Sequence, residues 1–295
     1  MALENKICVL TGAHGFVGSQ LRRHLERDGW RVIAWTREPE PGSGAVAFRL
    51  GQEVDPGLLK GARALVHCAY DFGPRRWGDI AAINVTGSQK LLEAARKAGV
   101  ESVVFISSLS AFAGCRSLYG KAKLEIESAA QSVGAYVIRP GLVYGDSPGG
   151  MFGRLARQVR SSRFIPVLWG GQQGQYLLHA EDLGNLIQAC LDGRFPKPAE
   201  PITIAHEHRW ELKEILGQVA RAMGKRVSFV PVPWRCVWLA LKSLELAGVQ
   251  TNFRSDSLIS MVYQDPCPAF ASAKALGFGC RPFTLGPGTL LFVDA

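Results

Sequence analysis

Short apolar runs alternate with longer amphipathic stretches through the first half of the chain. Five runs of four or five residues are apolar on both faces, as buried parallel strands are. They lie at 7–10, 31–35, 64–68, 103–107 and 135–138. Apolar residues at helical spacing predict helices at 16–28, 80–98 and 119–132. Strands and helices that alternate in this way predict an α/β fold with a doubly wound parallel sheet.

The second half is less regular. Segments rich in Gly or Pro at 141–150 and 196–201 interrupt it, and the runs beyond them predict a strand at 202–205, a helix at 210–223, a strand at 227–230 and an apolar helix at 234–247. We expect a sheet domain of the Rossmann type formed by 1–145 and 176–205. A smaller substrate-binding lobe, formed by 146–175 and 206–295, should pack over one edge of that sheet.

Composition narrows the class of protein. The chain has 295 residues, of which 47% are hydrophobic and 20% charged, and this excludes a disordered or low-complexity protein. Its seven cysteines are scattered without a CxxC pair, which is typical of reduced thiols and not of a zinc module. Six residues precede the first apolar run, and charged residues interrupt the apolar stretch 234–248. We therefore expect a cytoplasmic protein with no metal and no membrane partner.

The net charge of +9 raises the question of nucleic-acid binding. The basic residues are spread along the chain, apart from one row with a spacing of three: Arg154, Arg157, Arg160 and Arg163. On a helix this spacing drifts around the axis and is typical of a solvated face. The alternative is attraction of an anionic small molecule, and we expect no nucleic-acid partner.

A glycine-rich segment, TGAHGFVG, joins the first strand directly to the first helix. Its candidate binding residues are Gly12, Gly15, Phe16, Val17 and Gly18. Glycines at these positions permit a tight turn, close approach of a pyrophosphate, and close helix–strand packing, while the helix N-terminus faces the phosphates. The strand before and the helix after it make this a specific prediction of dinucleotide binding.

The end of the second predicted strand bears on the choice of cofactor. An acidic residue there selects NAD, whereas an arginine accommodates the extra phosphate of NADP. The chain has Thr36 and Arg37 at this place, with no carboxylate at the tip. The sequence therefore favours NADP(H) over NAD(H), with a solvated loop arginine as the alternative interpretation.

Tyr119 and Lys123 are four residues apart at the start of a predicted helix and therefore share a face. Ser108 follows an upstream strand, at the sheet edge where ligands bind. Such a set suits hydride transfer at a secondary alcohol or ketone, with tyrosine handling the proton. The free tyrosine pKa of about 10 is high for a base, so we expect the Lys123 ammonium to lower it. Ser107 and Ser110 are alternatives to Ser108.

Together these motifs resemble those of the extended short-chain dehydrogenase/reductase family, nearly from end to end. Further matches are VHCA at 66–69, NVTG at 84–87, RPGLVYG at 139–145 and HAED at 179–182. The resemblance implies that Ser108, Tyr119 and Lys123 are catalytic. It also implies that Cys68 and Ala69 line the cofactor and that the segment with Pro140 and Val143 closes over the nicotinamide.

The resemblance leaves the small-molecule substrate open. Relatives that act on sugar nucleotides often have an arginine at the position of Gln175. Arg254 matches a second phosphate-binding arginine of those enzymes. Tyr70 is a candidate for lining the substrate cleft. Our first expectation is an epimerase or reductase of a nucleotide sugar. The alternatives are a reductase of a non-sugar ketone and a non-catalytic NADP-binding sensor or scaffold. The resemblance also implies a homodimer formed through the helices at 80–98 and 119–132.

Overall fold

A seven-stranded parallel sheet lies at the centre of the computed structural model, which describes residues 6–145, 149–249, 251 and 253–285. The strand order is β10-β6-β5-β4-β1-β2-β3. The strands are β1 (Ile7–Thr11), β2 (Arg31–Thr36), β3 (Val46–Ala47), β4 (Ala64–His67), β5 (Ser102–Ile106), β6 (Tyr136–Pro140) and β10 (Ile202–Ile204). Every neighbouring pair is parallel. The predicted doubly wound α/β fold is confirmed.

Helices cover both faces of this sheet. They are α1 (Phe16–Arg27), α2 (Trp77–Ile80), α3 (Gly87–Lys97), α4 (Leu118–Ser132) and α6 (Ala180–Leu191). Side chains of β1 alternate between the two faces, so Leu10 packs with Leu21 and Leu186 on one side. Val9 packs with Leu91 and Ile126 on the other. Two apolar cores, one on each face, therefore stabilise the sheet and the edge at which its strands end.

The helix predicted at 80–98 begins earlier and contains a π-helical turn, Ala81–Thr86, between α2 and α3. This turn carries the buried side chain of Asn84. The Asn84 amide accepts the backbone N–H of Asp71 at 2.7 Å and donates to the Asp71 carbonyl at 3.0 Å. The irregular turn thus ties the loop after β4 to the helix layer, which the sequence pattern did not indicate.

Two smaller sheets complete the described part of the chain. One contains β7 (Leu142–Tyr144), β9 (Gly174–His179) and β11 (Arg209–Glu211). The other pairs β8 (Phe164–Leu168) with β12 (Ser228–Val232) in parallel. The accompanying helices are α5 (Gly150–Ser161), α7 (Leu212–Ala222), α8 (Trp234–Leu246), α9 (Ser255–Val262) and α10 (Ala271–Ala275). Apolar residues of α5, α7, β8 and β9 form most of a third core.

The helix predicted at 210–223 was placed two residues too early at its N-terminus. Residues 209–211 form β11, and α7 begins only at Leu212. Glu211 and Glu214 form a capping box there, and such a pair marks the first turn of a helix. Other boundaries shift by a few residues: β4 ends at His67, β6 runs on to Pro140 and β12 extends to Val232.

Candidate active site

Three glycines form a cradle between β1 and α1. Gly12 has φ +70°, and a Cβ atom there would lie 2.9 Å from the backbone nitrogen of Ala69. A Cβ atom on Gly18 would lie 2.2 Å from the Gly12 carbonyl oxygen, so strand and helix meet here backbone to backbone. Gly15, Phe16 and Val17 line the adjoining cleft with them. The cradle fits a dinucleotide pyrophosphate placed against the first turn of α1.

A buried hydrogen-bond chain supports this cradle from beneath. His67 bonds Thr11 through Nδ1 at 2.7 Å and Ser88 through Nε2 at 2.9 Å. Burial, aided by the charge of Lys123, lowers the pKa of His67 to about 3, so the ring is neutral. Thr11 Oγ1 also accepts the backbone N–H of Ala69 at 3.3 Å. The chain thereby fixes the segment in which Cys68 and Ala69 line the cleft.

Arg37 follows β2 directly and lines the cleft as an exposed residue. Glu38, the next residue, also reaches the cleft, and Arg49 pairs with its carboxylate at 3.4 Å. The carboxylate of Glu38 is therefore paired with the guanidinium of Arg49. This arrangement places two guanidinium groups at the edge where an adenosine ribose would lie.

Tyr119 and Lys123 project from the first two turns of α4 into the same cleft, beside Ser108. The hydroxyl of Ser108 faces the phenol of Tyr119 and acts to lower the pKa of that phenol. Lys123 is buried, and its Nζ donates to the carbonyl of Ile106 at 2.8 Å. The structure thus brings the three predicted catalytic residues together at the end of β5.

The expected lowering of the Tyr119 pKa does not occur in this structure. Removal of the phenol from water raises the pKa of Tyr119 to about 12, and the Ser108 hydroxyl only partly opposes this. The Lys123 ammonium lies 5.9 Å from the centre of the Tyr119 ring and bonds Ile106 instead. Burial lowers the pKa of Lys123 to about 8. At neutral pH the tyrosine therefore carries its proton.

The serine alternatives occupy different environments. Ser107 is buried, and its hydroxyl donates to Glu127, which also holds the guanidinium of Arg139. Ser110 lines the cleft, and its backbone N–H donates to the Ser108 hydroxyl at 3.1 Å. Of the three serines, Ser108 is the one whose hydroxyl interacts with Tyr119. The hydroxyl of Ser107 is engaged by the carboxylate of Glu127.

Aromatic rings cover Tyr119. Tyr70 meets it edge-on with 4.9 Å between ring centres, and Phe72 stacks on it at 5.7 Å. Burial raises the pKa of Tyr70 above its ordinary value. Phe72 is 58% exposed, so its other side faces the cleft opening. The ring of Tyr119 is thus packed between two aromatic side chains, which form an apolar wall on this side of the cleft.

Residues of the C-terminal region hold this site from outside. Arg254 donates to the carbonyls of Phe72 and Pro74, the latter at 2.8 Å. The carboxylate of Asp256 accepts the backbone N–H groups of Leu118 at 2.7 Å and Tyr119 at 3.0 Å. Arg254 lines the cleft as expected, but both of its terminal nitrogens are engaged by the loop. Asp256 and Phe72 were missed by the sequence analysis.

The remaining expected residues also lie on the cleft, which has a volume of about 2260 Å³. Pro140 and Val143 line it from the ends of β6 and β7, and Gln175 lines it from β9. The Gln175 amide nitrogen is buried and has no hydrogen-bond partner among the described residues. One continuous cleft therefore joins the glycine cradle, the Tyr119 cluster and Gln175, with room for a dinucleotide and a second molecule.

A family model for the NAD dependent epimerase/dehydratase family matches residues 8–204. The chain belongs to this family. Since its members include reductases as well as sugar-nucleotide epimerases, membership establishes an NAD(P)-dependent enzyme of the short-chain dehydrogenase/reductase type and leaves the substrate open. The matched segment contains the glycine cradle and the catalytic cluster, and much of the C-terminal region lies beyond it.

Relatives of this epimerase/dehydratase chain include two reductases. Ceramide reductase from Caulobacter vibrioides is 30% identical over 241 residues, covering 77% of this chain and 74% of that protein. dTDP-4-dehydro-6-deoxy-D-allose reductase from Streptomyces sp is 25% identical over 292 residues, covering 81% and 88%. Among solved structures, MoeE5 in complex with UDP-glucuronic acid and NAD superposes with a TM-score of 0.73 at 22% identity, covering 97% and 98% of the two chains.

Within the described residues, no group of three or more histidine, cysteine, aspartate or glutamate side chains is arranged to hold a metal ion. In the same part of the chain, none of the helices combines the length and the apolar character needed to cross a bilayer.

Proposed function

We propose that this protein reduces a ketone to a secondary alcohol with NADPH. The observation that carries the proposal is the grouping of Ser108, Tyr119 and Lys123 at the end of β5, in the cleft that leads from the glycine cradle. The bound, reduced dinucleotide supplies the hydride that reaches the carbonyl carbon. Tyr119 gives its phenolic proton to the carbonyl oxygen, and water later restores that proton. Ser108 donates a hydrogen bond to the same oxygen.

The protonation states of Tyr119 and Lys123 favour reduction of a ketone. With its pKa raised to about 12, Tyr119 holds a proton to donate at neutral pH. With its pKa at about 8, Lys123 keeps a positive charge there that stabilises the phenolate left after proton transfer. A ketone in the cleft therefore meets a proton donor without a prior ionisation step.

We propose NADP(H) over NAD(H) as the cofactor. Arg37 stands at the end of β2, and Arg49 neutralises Glu38, the carboxylate beside it. A 2′-phosphate carries negative charge that the guanidinium groups of Arg37 and Arg49 attract. The residues of the cradle and of this edge would hold the dinucleotide at its pyrophosphate and its adenosine ribose.

For the substrate, we propose a non-sugar ketone that carries an apolar group. Tyr70 and Phe72 pack against the ring of Tyr119, and Val232, Val237 and Met261 line the same cleft. Arg254 donates from both terminal nitrogens to backbone carbonyls, which fixes its guanidinium against the Phe72 loop. A relative 30% identical to this chain is a ceramide reductase, an enzyme named for a lipid. The C-terminal region would supply this specificity.

A nucleotide sugar is the second candidate, since Arg154 and Arg157 line the cleft. Positive charge there suits a diphosphate, and the neighbour MoeE5 was solved with UDP-glucuronic acid. Gln175 would then present its amide to a sugar hydroxyl. This candidate predicts epimerisation or reduction of a nucleotide sugar and no activity on alkyl ketones.

One assay separates the two candidates. Purified protein is incubated with NADPH or NADH and either alkyl ketones of increasing chain length or UDP- and dTDP-sugars, with Tyr119→Phe as the inactive control. We expect NADPH consumption with ketones, increasing with chain length. Epimerised UDP-sugar without net nucleotide consumption would overturn the proposal in favour of the second candidate.

We also propose a cytoplasmic homodimer formed through α3 and α4, which pack side by side on one face of the sheet. Sedimentation equilibrium at micromolar concentration checks the dimer, and a monomer would contradict it.

A further inference from the structure

Helix α8 (Trp234–Leu246) has no buried residue, although it is rich in apolar side chains. Four of the nine large apolar side chains that are exposed in the described residues lie on this helix or just beyond it: Leu239, Leu244, Leu246 and Val249. Single exposed apolar residues are common on protein surfaces, but Leu239 and Leu246 are seven residues apart and form an exposed apolar pair on one side of α8. Leu246 is 80% exposed and Leu239 62%.

One stripe of α8 alternates cations with leucines. Arg235, Leu239, Lys242 and Leu246 are spaced by four, three and four residues, which places them on one side of a helix. Trp238 lies beside this stripe, three residues after Arg235 and four before Lys242, and Trp234, Trp238 and Leu241 are half-buried. We call the four residues the α8 stripe.

The charge of this helix is positive on its outer side. Its one carboxylate, Glu245, is turned inward and accepts the hydroxyl and the backbone N–H of Ser255, both at 2.8 Å. Arg75 donates to the carbonyls of Glu245 and Val249, so a cation also covers the negative end of the helix dipole. Lys242 is half-buried and its Nζ lies 3.9 Å from Glu245 Oε2, so Arg235 is the more exposed cation of this helix.

The start of α8 adjoins the mouth of the cleft. Trp169 contacts Trp234 with 5.9 Å between ring centres, and Trp169 and Val237 both line the cleft. Trp169 is 53% exposed and has φ +41°, a left-handed conformation that no other non-glycine residue among those described adopts. A strained backbone that presents a large indole to solvent is typical of a functional contact.

We propose that the α8 stripe docks the enzyme on the surface of an anionic lipid bilayer, so that an amphiphilic ketone passes from the bilayer past Trp169 into the cleft. The proposal rests on the proposed function for its substrate. Leucines enter the boundary between headgroups and acyl chains, Arg235 and Lys242 meet lipid phosphates, and the indole occupies the interface. This proposal departs from the expectation of no membrane partner, which was based on the absence of a segment that could cross a bilayer.

The test measures co-sedimentation of the full chain with vesicles of phosphatidylcholine alone, or of equal parts phosphatidylcholine and phosphatidylglycerol. We expect binding to the anionic vesicles that added salt weakens. Charge reversal in Arg235→Glu should lower the partition coefficient by roughly fivefold or more. The double variant Leu239→Glu, Leu246→Glu should abolish binding. Leu58→Glu is the matched control, because Leu58 is also an exposed leucine (53%) but lies in the sheet domain.

Equal binding of the wild type and the double variant, or no binding to anionic vesicles, would overturn the docking proposal. If the stripe instead joins two copies of the chain, sedimentation without lipid would show an association that the double variant loses, and this too would overturn it. Reduction of a water-soluble ketone by the double variant is measured alongside. If the double variant loses vesicle binding but still reduces the water-soluble ketone, the result bears on docking alone. If the wild type reduces none of the ketones, the proposed function is wrong.

Discussion

The carboxylate of Asp256 accepts the backbone N–H of Tyr119 at 3.0 Å, across 137 residues of sequence. The same carboxylate accepts the N–H of Leu118, so it receives two of the free donors at the start of α4. A negative charge at this end of a helix is stabilising. The contact joins the C-terminal region to the helix that carries the candidate proton donor.

The variant Asp256→Asn should impair turnover more than folding. The amide has one acceptor oxygen in place of two and no charge, so the first turn of α4 loses a bond and Tyr119 is held less firmly. We expect kcat to fall about tenfold and the free energy of unfolding to fall by about 1 kcal/mol. Steady-state kinetics and urea denaturation measure the two effects.

Ser117→Ala is the matched control for that variant. Ser117 caps the same helix by accepting the N–H of Gly120 at 3.1 Å, and its loss destabilises α4 while Asp256 stays in place. If both variants lost turnover equally, general weakening of the helix would explain the effect and the positioning role of Asp256 would be wrong.

Replacing Tyr119 by Phe removes the proposed proton donor and leaves the ring packed against Tyr70 and Phe72. We expect kcat for ketone reduction to fall by about 100-fold or more, with little change in nucleotide affinity measured by fluorescence titration. Tyr263→Phe is the control, because its ring packs on Trp234 away from the cluster. Full activity of Tyr119→Phe would exclude this phenol as the proton donor.

Arg37→Gln should reduce the preference for NADPH. Removing one guanidinium from the 2′-phosphate should raise KM for NADPH by roughly tenfold and leave KM for NADH nearly unchanged. Arg31→Gln serves as the control, since Arg31 is exposed at the opposite end of the same strand. An equal change in both KM values would place Arg37 outside the 2′-phosphate site.

The pH dependence of reduction should follow Lys123. Below its pKa of about 8 the ammonium is charged and can stabilise the Tyr119 phenolate, and above that pH the charge is lost. We therefore expect kcat/KM to be constant near neutrality and to fall by about tenfold per pH unit above this pKa. Lys123→Met should be slow and lack this limb, whereas Lys121→Met, on the same helix, should retain it. A rate that rises above pH 8 would contradict the assignment.

The sequence predicted the sheet and the cofactor cradle well because local patterns encode them. Gly12, Gly15 and Gly18 lie within one strand–turn–helix unit, and Tyr119 and Lys123 lie one helical turn apart, so local spacing alone places each set on one face or turn. The choice of NADP(H) and the roles of the site residues remain proposals, although the described structure brings these residues to one cleft.

The residues that the sequence did not reveal act over long distances. Asp256 reaches α4, and Arg254 reaches the loop at Phe72, only after the C-terminal region has folded against the sheet. The Tyr119 pKa was predicted in the wrong direction because it depends on burial beneath Tyr70 and Phe72, which spacing does not encode. The π-helical turn at Asn84 likewise reflects a contact with Asp71.

The central claim is that a reduced nicotinamide cofactor transfers hydride to a ketone in this cleft, with Tyr119 supplying the proton. Its most direct test is a single turnover with NADPH deuterated at the transferred position and an alkyl ketone, followed by mass spectrometry of the alcohol. The account predicts one deuterium on the carbinol carbon with the wild type and almost none with Tyr119→Phe. Tight nucleotide binding without deuterium in any ketone or nucleotide-sugar product would contradict it and would favour a non-catalytic nucleotide-binding protein.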